Sequence, residues 1–518
     1  MRTRTRLAGL LAATASVFTV VAGVTALGSS PASAATCTAG VANDFNGDGV
    51  ADTAIADPNA TVNGAKGAGL VRVVLGGGKG VAEISQATTG MAATPEAGDH
   101  FGFSRSAYDA DGDGCTDLVV GTPYEDVSSG GTQLVDAGAV YVIHGSSTGI
   151  GAGSKIEGYT QAELDSTTST EAYDWFGHAV KAGETSSGSP YLVVGVPGEN
   201  VTANGTTYPD AGCIEYVQGT TKISVSQKNA GVTGNVEAND RFGYSLSGTN
   251  RYFAVGTPGE AIGAAKFAGG VNVFSHTLTG GLPTPLLGLD QDSAGVTGTA
   301  EAGDGFGTSV SLTGYRPSDQ TYNSDVLLAV GTPGEDVGTT ADAGGAAVFR
   351  IRPSGAYTEV TAFDATSADV EGNAVVGDHL GQRVTIANIN TDVVTTTATV
   401  RLAVGVPGKD TSSGKDAGAV QVFRPLDAAI GSADKVLTRG SGLSGAAAGR
   451  DYTGMALMSG SINLYIGVPY SKAADSPKGA LYVMPWTDLD GTTTTGTTTY
   501  LPGSGGLPNE GVAFGTVG

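Results

Sequence analysis

The chain has 518 residues, with 27 basic and 50 acidic side chains and a formal net charge of −23 at pH 7. A surface this acidic repels phosphate backbones and anionic headgroups, which argues against nucleic-acid partners and against membrane binding through basic patches. Glycine supplies 83 residues without any Gly-x-y period, which excludes collagen, and the 40% apolar content excludes wholesale disorder.

The chain opens on Arg2, Arg4 and Arg6, followed by an apolar stretch from Leu7 to Leu27 and by Ala32-Ser33-Ala34. That order reads as a secretory signal with an A-x-A cleavage site, so residues 1–34 are expected to be removed and the mature, secreted chain to start at Ala35. Losing the three arginines leaves 24 basic residues against 50 acidic ones. No later stretch reaches the ~18 uninterrupted apolar residues of a spanning helix, and no membrane insertion is expected. Export permits a disulfide. Cys37 and Cys115 each lie near an aspartate-rich loop and are the preferred pair. Cys213 stands where sister repeats carry Ala139 or Gly270, a small position in a strand, and is expected to be buried and inert.

Two segments read D-x-[DN]-x-D-G-x-x-D. The first is Asp44, Asn46, Asp48, Val50 and Asp52; the second is Asp109, Asp111, Asp113, Cys115 and Asp117. Oxygen ligands at positions 1, 3 and 5 converge on one point, and the glycine after position 5 allows a sharp turn. Position 7, Val50 or Cys115, offers its backbone carbonyl, and the acid at position 9 closes the site. Hard oxygen donors in that number suit calcium, and without a cation the clustered carboxylates repel one another. Two calcium sites are expected. Asn388-Ile389-Asn390-Thr391-Asp392 keeps the alternation but lacks the glycine and the final acid, which makes it a poor third.

Three short elements recur along the chain. A Gly-x-Pro element appears at Gly121, Gly195, Gly256, Gly331, Gly405 and Gly467, with Ala56-Asp57-Pro58 as a degenerate first copy; the prolines are spaced 65, 74, 61, 75, 74 and 62 apart. An Ala-Gly strand follows each, as in Asp136-Ala137-Gly138-Ala139-Val140-Tyr141-Val142. A Phe-Gly element precedes it: Phe101-Gly102, Phe176-Gly177, Phe242-Gly243 and Phe306-Gly307, with Leu380-Gly381 and Thr453-Gly454 as weaker copies. The 484 residues after the signal, shared by seven copies, give 69 apiece. The apolar runs are too short and too interrupted by glycine for helices. An all-β, seven-bladed propeller of four-stranded blades is therefore expected, since a ring buries each blade against its neighbours and leaves only short edges. The first repeat lacks a Phe-Gly strand, and Phe514-Gly515 has no repeat after it. Residues 511–518 are expected to complete blade 1 and fasten the ring.

Phe-Gly, then a D-x-D-x-D-G loop, then Gly-x-Pro resembles the FG-GAP repeat of integrin alpha-chain propellers and of secreted bacterial FG-GAP proteins. The resemblance covers nearly all of residues 35–518. It implies that the calcium loops join the first and second strands of a blade, so that Asp44–Asp52 and Asp109–Asp117 share one side of the ring. The loops after Gly-x-Pro then lie on the opposite side, with the acids Glu125, Asp126, Glu199, Glu260, Glu335, Asp336 and Asp410. Asp136, Asp210, Asp342 and Asp416 precede Ala-Gly there. These acids read either as a carboxylate ring attracting cationic or polyhydroxylated ligands or as caps on turn amides; their recurrence favours the caps. The Phe-Gly phenylalanines read as wedges between blades. Ser104, Ser245 and Ser309 share a repeat position and look structural.

No H-E-x-x-H or other metal-ligand histidine spacing occurs among the five histidines, and no G-x-S-x-G turn stands out. The function read from the sequence is a monomeric, secreted, calcium-binding module for extracellular binding or cell adhesion, not an enzyme, with an extracellular protein or polysaccharide as ligand. A carbohydrate-binding, lectin-like propeller is the alternative, and a propeller hydrolase or lyase of extracellular polymers stands behind it.

Overall fold

The computed structural model describes residues 37–38, 40–490 and 496–517. The segment expected to be a secretory signal, residues 1–34, and the last residue lie outside the described residues. Seven antiparallel sheets follow one another along the chain. Blade 1 contributes Thr53–Asp57, Leu70–Leu75 and Gly80–Ile84. Blade 2 is Ser104–Tyr108, Asp117–Thr122, Ala139–Ile143 and Ile156–Tyr159. Blade 3 is Val180–Glu184, Pro190–Val196, Cys213–Gln218 and Thr221–Val225. Blade 4 is Ser245–Gly248, Tyr252–Thr257, Gly270–Thr279 and Leu282–Leu289. Blade 5 is Ser309–Tyr315, Asp325–Thr332, Gly345–Ile351 and Tyr357–Asp364. Blade 6 is Val384–Asn388, Val400–Val406, Ala419–Phe423 and Lys435–Arg439, with Gly442–Leu443 added in parallel. Blade 7 is Ala456–Ser459, Asn463–Gly467, Leu481–Pro485 and Thr498–Tyr500.

The three-stranded first blade is completed from the far end of the chain. Ala56 bridges Thr516 antiparallel, and the Gly515 amide donates to the Ala56 carbonyl at 3.1 Å. The Asp57 carboxylate accepts the Val512 and Ala513 amides at 2.8 Å each. Phe514 is fully buried. Closure of blade 1 by the C-terminal segment is present in its described residues, and the architecture is a closed seven-bladed propeller.

The apolar runs make sense in this arrangement. Successive side chains of a strand point to opposite faces, and both faces of a blade are covered. In Asp117–Thr122, Leu118 and Val120 pack toward blade 1 while Val119 packs with Val180, Leu192 and Val194 of blade 3. The hydrophobic core is accordingly divided into seven layers, one at each joint between blades.

The three repeated glycine elements meet at those joints. The Ala137 carbonyl accepts the Phe176 amide at 3.1 Å, and Gly138 bridges Phe176 in parallel. A Cβ on Gly138, whose φ is +89°, would fall on the Phe176 backbone, and one on Gly121 would fall on the Gly177 carbonyl. Gly-x-Pro, Ala-Gly and the next Phe-Gly are thus three sides of one backbone contact that admits no side chain. Phe101, Phe176, Phe242, Phe306 and Phe514 are all buried beside it, as wedges.

The first strands are tied to one another by hydroxyls. The Ser104 and Ser245 Oγ atoms donate to the Gly177 and Gly307 carbonyls at 2.7 and 2.8 Å. Ser309 and Ser311 accept the Val384 and Ile386 amides at 3.0 Å each. The repeated serine position is structural, as expected.

Candidate metal sites

Both aspartate loops lead into the second strand of their blade, and they lie against each other. Thr116 donates its amide to the Asp44 carbonyl at 3.0 Å, and Ser146 donates to the Phe45 carbonyl at 3.2 Å. Cys37 and Cys115 form a disulfide, which joins the chain ahead of the first loop to position 7 of the second. Cys213 is free and buried.

Similar internal bonds shape both loops. Asp44 accepts the Asp48 and Gly49 amides at 3.1 and 2.7 Å, and Asp109 accepts those of Gly112 and Gly114 at 2.7 and 2.9 Å. Asn46 and Asp111 accept the amides of Asp48 and Asp113, and these in turn accept those of Val50 and Cys115. The acids at position 9 are buried anchors. Asp52 accepts the Phe45 and Gly76 amides, and Asp117 those of Ala110 and Gly145. A carboxylate has about four acceptor sites, so each anchor keeps capacity for a cation.

The loops differ in what faces them. Carboxylate oxygens of Asp109, Asp111 and Asp113 lie within 4.8 Å of one another. Desolvation, and then repulsion by Asp111, Asp117 and Asp109, hold the Asp113 carboxyl above its usual range against the Cys115 amide. Three hard oxygen donors this close fit calcium. In the first loop the Lys79 ammonium sits 2.6 Å from Asp48 and pulls its carboxyl below the usual range. His144 was not singled out as a partner of these loops by sequence. It comes from the end of the third strand to place Nδ1 3.2 Å from both Asp111 and Asp117. Its only advance signal is that it directly follows the strand Ala139–Ile143. Asn388 is buried, and its amide donates to the Gly314 carbonyl at 3.0 Å.

The acids at the opposite end divide into two kinds. Asp126, Asp336 and Asp410 cap the amides of Asp136, Asp342 and Asp416 at 2.9 Å each. Those capped residues, and Asp210, have φ between +51° and +54°, the left-handed backbone that aspartate tolerates better than most residues. Glu125 and Glu260 are neither caps nor a surface ring, because they are buried, at 8% and 7% exposure. Each receives a hydrogen bond from a buried glutamine, Gln86 and Gln227. Gln161 and Gln291 serve Glu199 and Glu335 at 2.8 and 2.6 Å. Each pair adjoins an aspartate two residues before the phenylalanine position: Asp99, Asp174, Asp240 and Asp304, all buried. Burial and then the neighbouring carboxylate push Asp174 and Asp240 up to about 8. Glu125 is likewise pushed up to about 8.

A cavity of about 220 Å³ elsewhere is lined by Arg401, Arg424 and Asp490. Both guanidiniums are already bonded to Asp490 at 2.8 Å. Trp486 is buried, with its indole N–H on the Gly460 carbonyl, and is not an exposed sugar platform. Among the described residues no helix is long and apolar enough to cross a membrane.

Comparison with known proteins bears on the second blade first. The model of the FG-GAP repeat family matches residues 101–143, from the Phe-Gly element through the second aspartate loop to the end of the Ala-Gly strand. No curated protein matches the chain. Among solved structures it is similar to Sqt1 of Saccharomyces cerevisiae, at 10% identity and a TM-score of 0.39, over 78% of this chain and 76% of that one. It is also similar to a putative 6-phosphogluconolactonase from Bacteroides uniformis, at 10% identity and a TM-score of 0.42, over 89% and 98%. Likeness this low carries nothing about activity. Blade 2 thus carries an FG-GAP repeat, and that match and the seven-bladed architecture together fit an FG-GAP β-propeller.

Proposed function

We propose that the protein is a secreted, calcium-stabilised propeller that acts as an extracellular binding or adhesion module, with two calcium ions held by the loops Asp44–Asp52 and Asp109–Asp117. The observation that carries the metal reading is the convergence of the Asp109, Asp111 and Asp113 carboxylates. Calcium bound there stabilises the folded chain by mass action and stiffens the end of the ring where blades 1 and 2 meet. A binding role agrees with a propeller whose repeated glycines, phenylalanines and serines serve the blade joints, leaving the loops to vary. The ligand is an extracellular protein or polysaccharide, and the chain acts as a monomer.

The test is retention of the mature protein on a panel of insoluble polysaccharides and cell-envelope fractions, with calcium and with EDTA. Calcium-dependent retention on one polymer supports the proposal and names the ligand class. Release of soluble fragments would replace it with a polymer-degrading enzyme, and a melting temperature indifferent to EDTA would remove the calcium ions from it.

A further inference from the structure

The buried acids at the far end of the ring follow a pattern that becomes visible only when the blades are superposed by repeat position. Three positions meet beneath each blade. One is the second residue of the turn that leaves the preceding blade; each of these turns is closed by the same amide-to-carbonyl bond three residues apart. One lies two residues before the phenylalanine position. One lies four residues after the first residue of Gly-x-Pro. In blades 2, 3, 4 and 5 the occupants are Gln86-Asp99-Glu125, Gln161-Asp174-Glu199, Gln227-Asp240-Glu260 and Gln291-Asp304-Glu335.

The remaining blades change these residues in a charge-balanced way. Blade 6 has Ala365, Asp378 and Lys409, with the Lys409 ammonium 3.7 Å from Asp378. Blade 7 has Arg439, Asp451 and Ser471; the buried guanidinium lies 3.3 Å from Asp451 and donates to the Ser471 hydroxyl at 2.7 Å. Blade 1 has Pro502, Val512 and Ala60, with no charge at all. Where no second acid stands at the glutamate position, a base of this chain faces the aspartate, entering once from the glutamate position and once from the glutamine position; in blade 7 that base also meets the exposed Asp475 at 3.1 Å. Where two acids stand together, the third member is a neutral amide.

The four doubly acidic clusters also hold buried oxygens without a hydrogen-bond donor. Asp174 Oδ1, Asp240 Oδ1 and Gln161 Oε1 are unpartnered in side chains at most 1% exposed, and Gln86 Oε1 and Gln291 Oε1 are unpartnered as well. In blade 4 a cavity of about 30 Å³ is lined by Gln227, Glu260 and Thr257, whose buried hydroxyl also lacks a partner, and not by Asp240. That is room for one ion or one water. Such groups are costly to bury without a partner.

We propose that the Gln-Asp-Glu clusters of blades 2 to 5 each bind one divalent cation of the calcium or magnesium class, in the place that Lys409 and Arg439 fill in blades 6 and 7. The two carboxylates supply the compensating charge. Rotation of the glutamine amide exchanges its donor for its acceptor, and N and O of an amide are assigned by their surroundings, so the amide oxygen serves as a third hard ligand. These sites are separate from the aspartate loops, which lie at the other end of the strands.

The experiment counts calcium by equilibrium dialysis of the full mature chain at about 1 mM, the affinity range of extracellular calcium modules. A variant carrying Asp48→Ala and Asp113→Ala disables the loops and isolates the new sites. The expected result is cation binding that persists in that variant and falls by one ion on Glu335→Lys, the exchange that blade 6 already tolerates. Glu335→Gln serves as the near-isosteric control and should lose the same ion. Binding that disappears with the loop variant, or a count unmoved by both Glu335 variants in folded protein, would overturn the proposal. An ion count left unchanged by the Asp48→Ala and Asp113→Ala variant would refute the calcium reading of the loops alone.

Discussion

The two ends of the ring use acidic residues in opposite ways. At one end the aspartates are concentrated in blades 1 and 2, in two adjacent loops fastened by the Cys37–Cys115 disulfide. At the other end they are spread over blades 2 to 7, one cluster per blade, buried beneath the joints. A feature repeated around a ring serves what every blade has in common, which is its joint. A feature confined to two blades marks a place where the ring differs from itself. The first end is therefore where a distinguishing function is to be sought, and the second is where the repeat is held together.

The sharpest way to break the comparison is at a joint. Gly195→Val places a side chain on the Gly243 carbonyl of the next blade. Nothing flexible can yield there, so a loss of about 3 kcal/mol or more is expected, in line with overpacking against backbone. The measurement is urea unfolding, and the loss should not depend on calcium. Opening the disulfide comes next. It closes a loop across a sequence separation of 78 residues, so Cys37→Ser together with Cys115→Ser should cost about 4 kcal/mol by loop entropy. It should also weaken calcium binding at the loops while leaving the far clusters unchanged. Equal damage to both ends would contradict their independence.

How much of this was legible in the sequence follows from the range of the interactions. Gly121, Gly138 and Gly177 announced themselves because a backbone contact that excludes Cβ admits one residue type, whatever the surroundings. The aspartate loops were legible because their candidate ligands come from nine consecutive residues. The partners that arrive from elsewhere were not. Lys79 reaches Asp48 from the hairpin between the last two strands of blade 1, and His144 reaches Asp117 from the end of the neighbouring strand. The repeated post-proline acids were visible, but Glu125 and Glu260 were read as turn or surface groups. Their glutamines lie 39 and 33 residues earlier, in the exit turn of the preceding blade, and nothing local marks Gln86 or Gln227 as buried. Asp210 and Asp416 carried a second hidden reason, a left-handed backbone, which a sequence expresses only as a preference for aspartate.

The two loops allow a finer test within the first end. Asp113 stands among carboxylates, whereas Asp48 already has the Lys79 ammonium beside it. Removing Asp113 should therefore abolish more of the calcium-induced rise in melting temperature than removing Asp48, and Lys79→Met should strengthen calcium binding at the first loop several-fold. Calorimetric titration of the three variants decides it. Equal effects of Asp113→Ala and Asp48→Ala would show that the lysine moves aside.

The smallest effect expected distinguishes the ends by pH. With calcium removed, Asp174 and Asp240 ionise only near 8 in the folded chain, raised from about 4 by burial and by Glu199 and Glu260. A folded-state pKa above the unfolded one means that the folded chain holds the extra proton. The associated stability is full below pH 4 and is lost as pH rises toward 8. Calcium-free protein should accordingly melt at progressively lower temperature between pH 5 and 8. In Asp174→Asn with Asp240→Asn that slope should flatten, because the amide carries no charge to desolvate. Asp48 of the first loop behaves in the opposite way, since Lys79 holds its carboxyl below the ordinary range. A slope unchanged in the double variant would locate the titrating groups outside the blade joints.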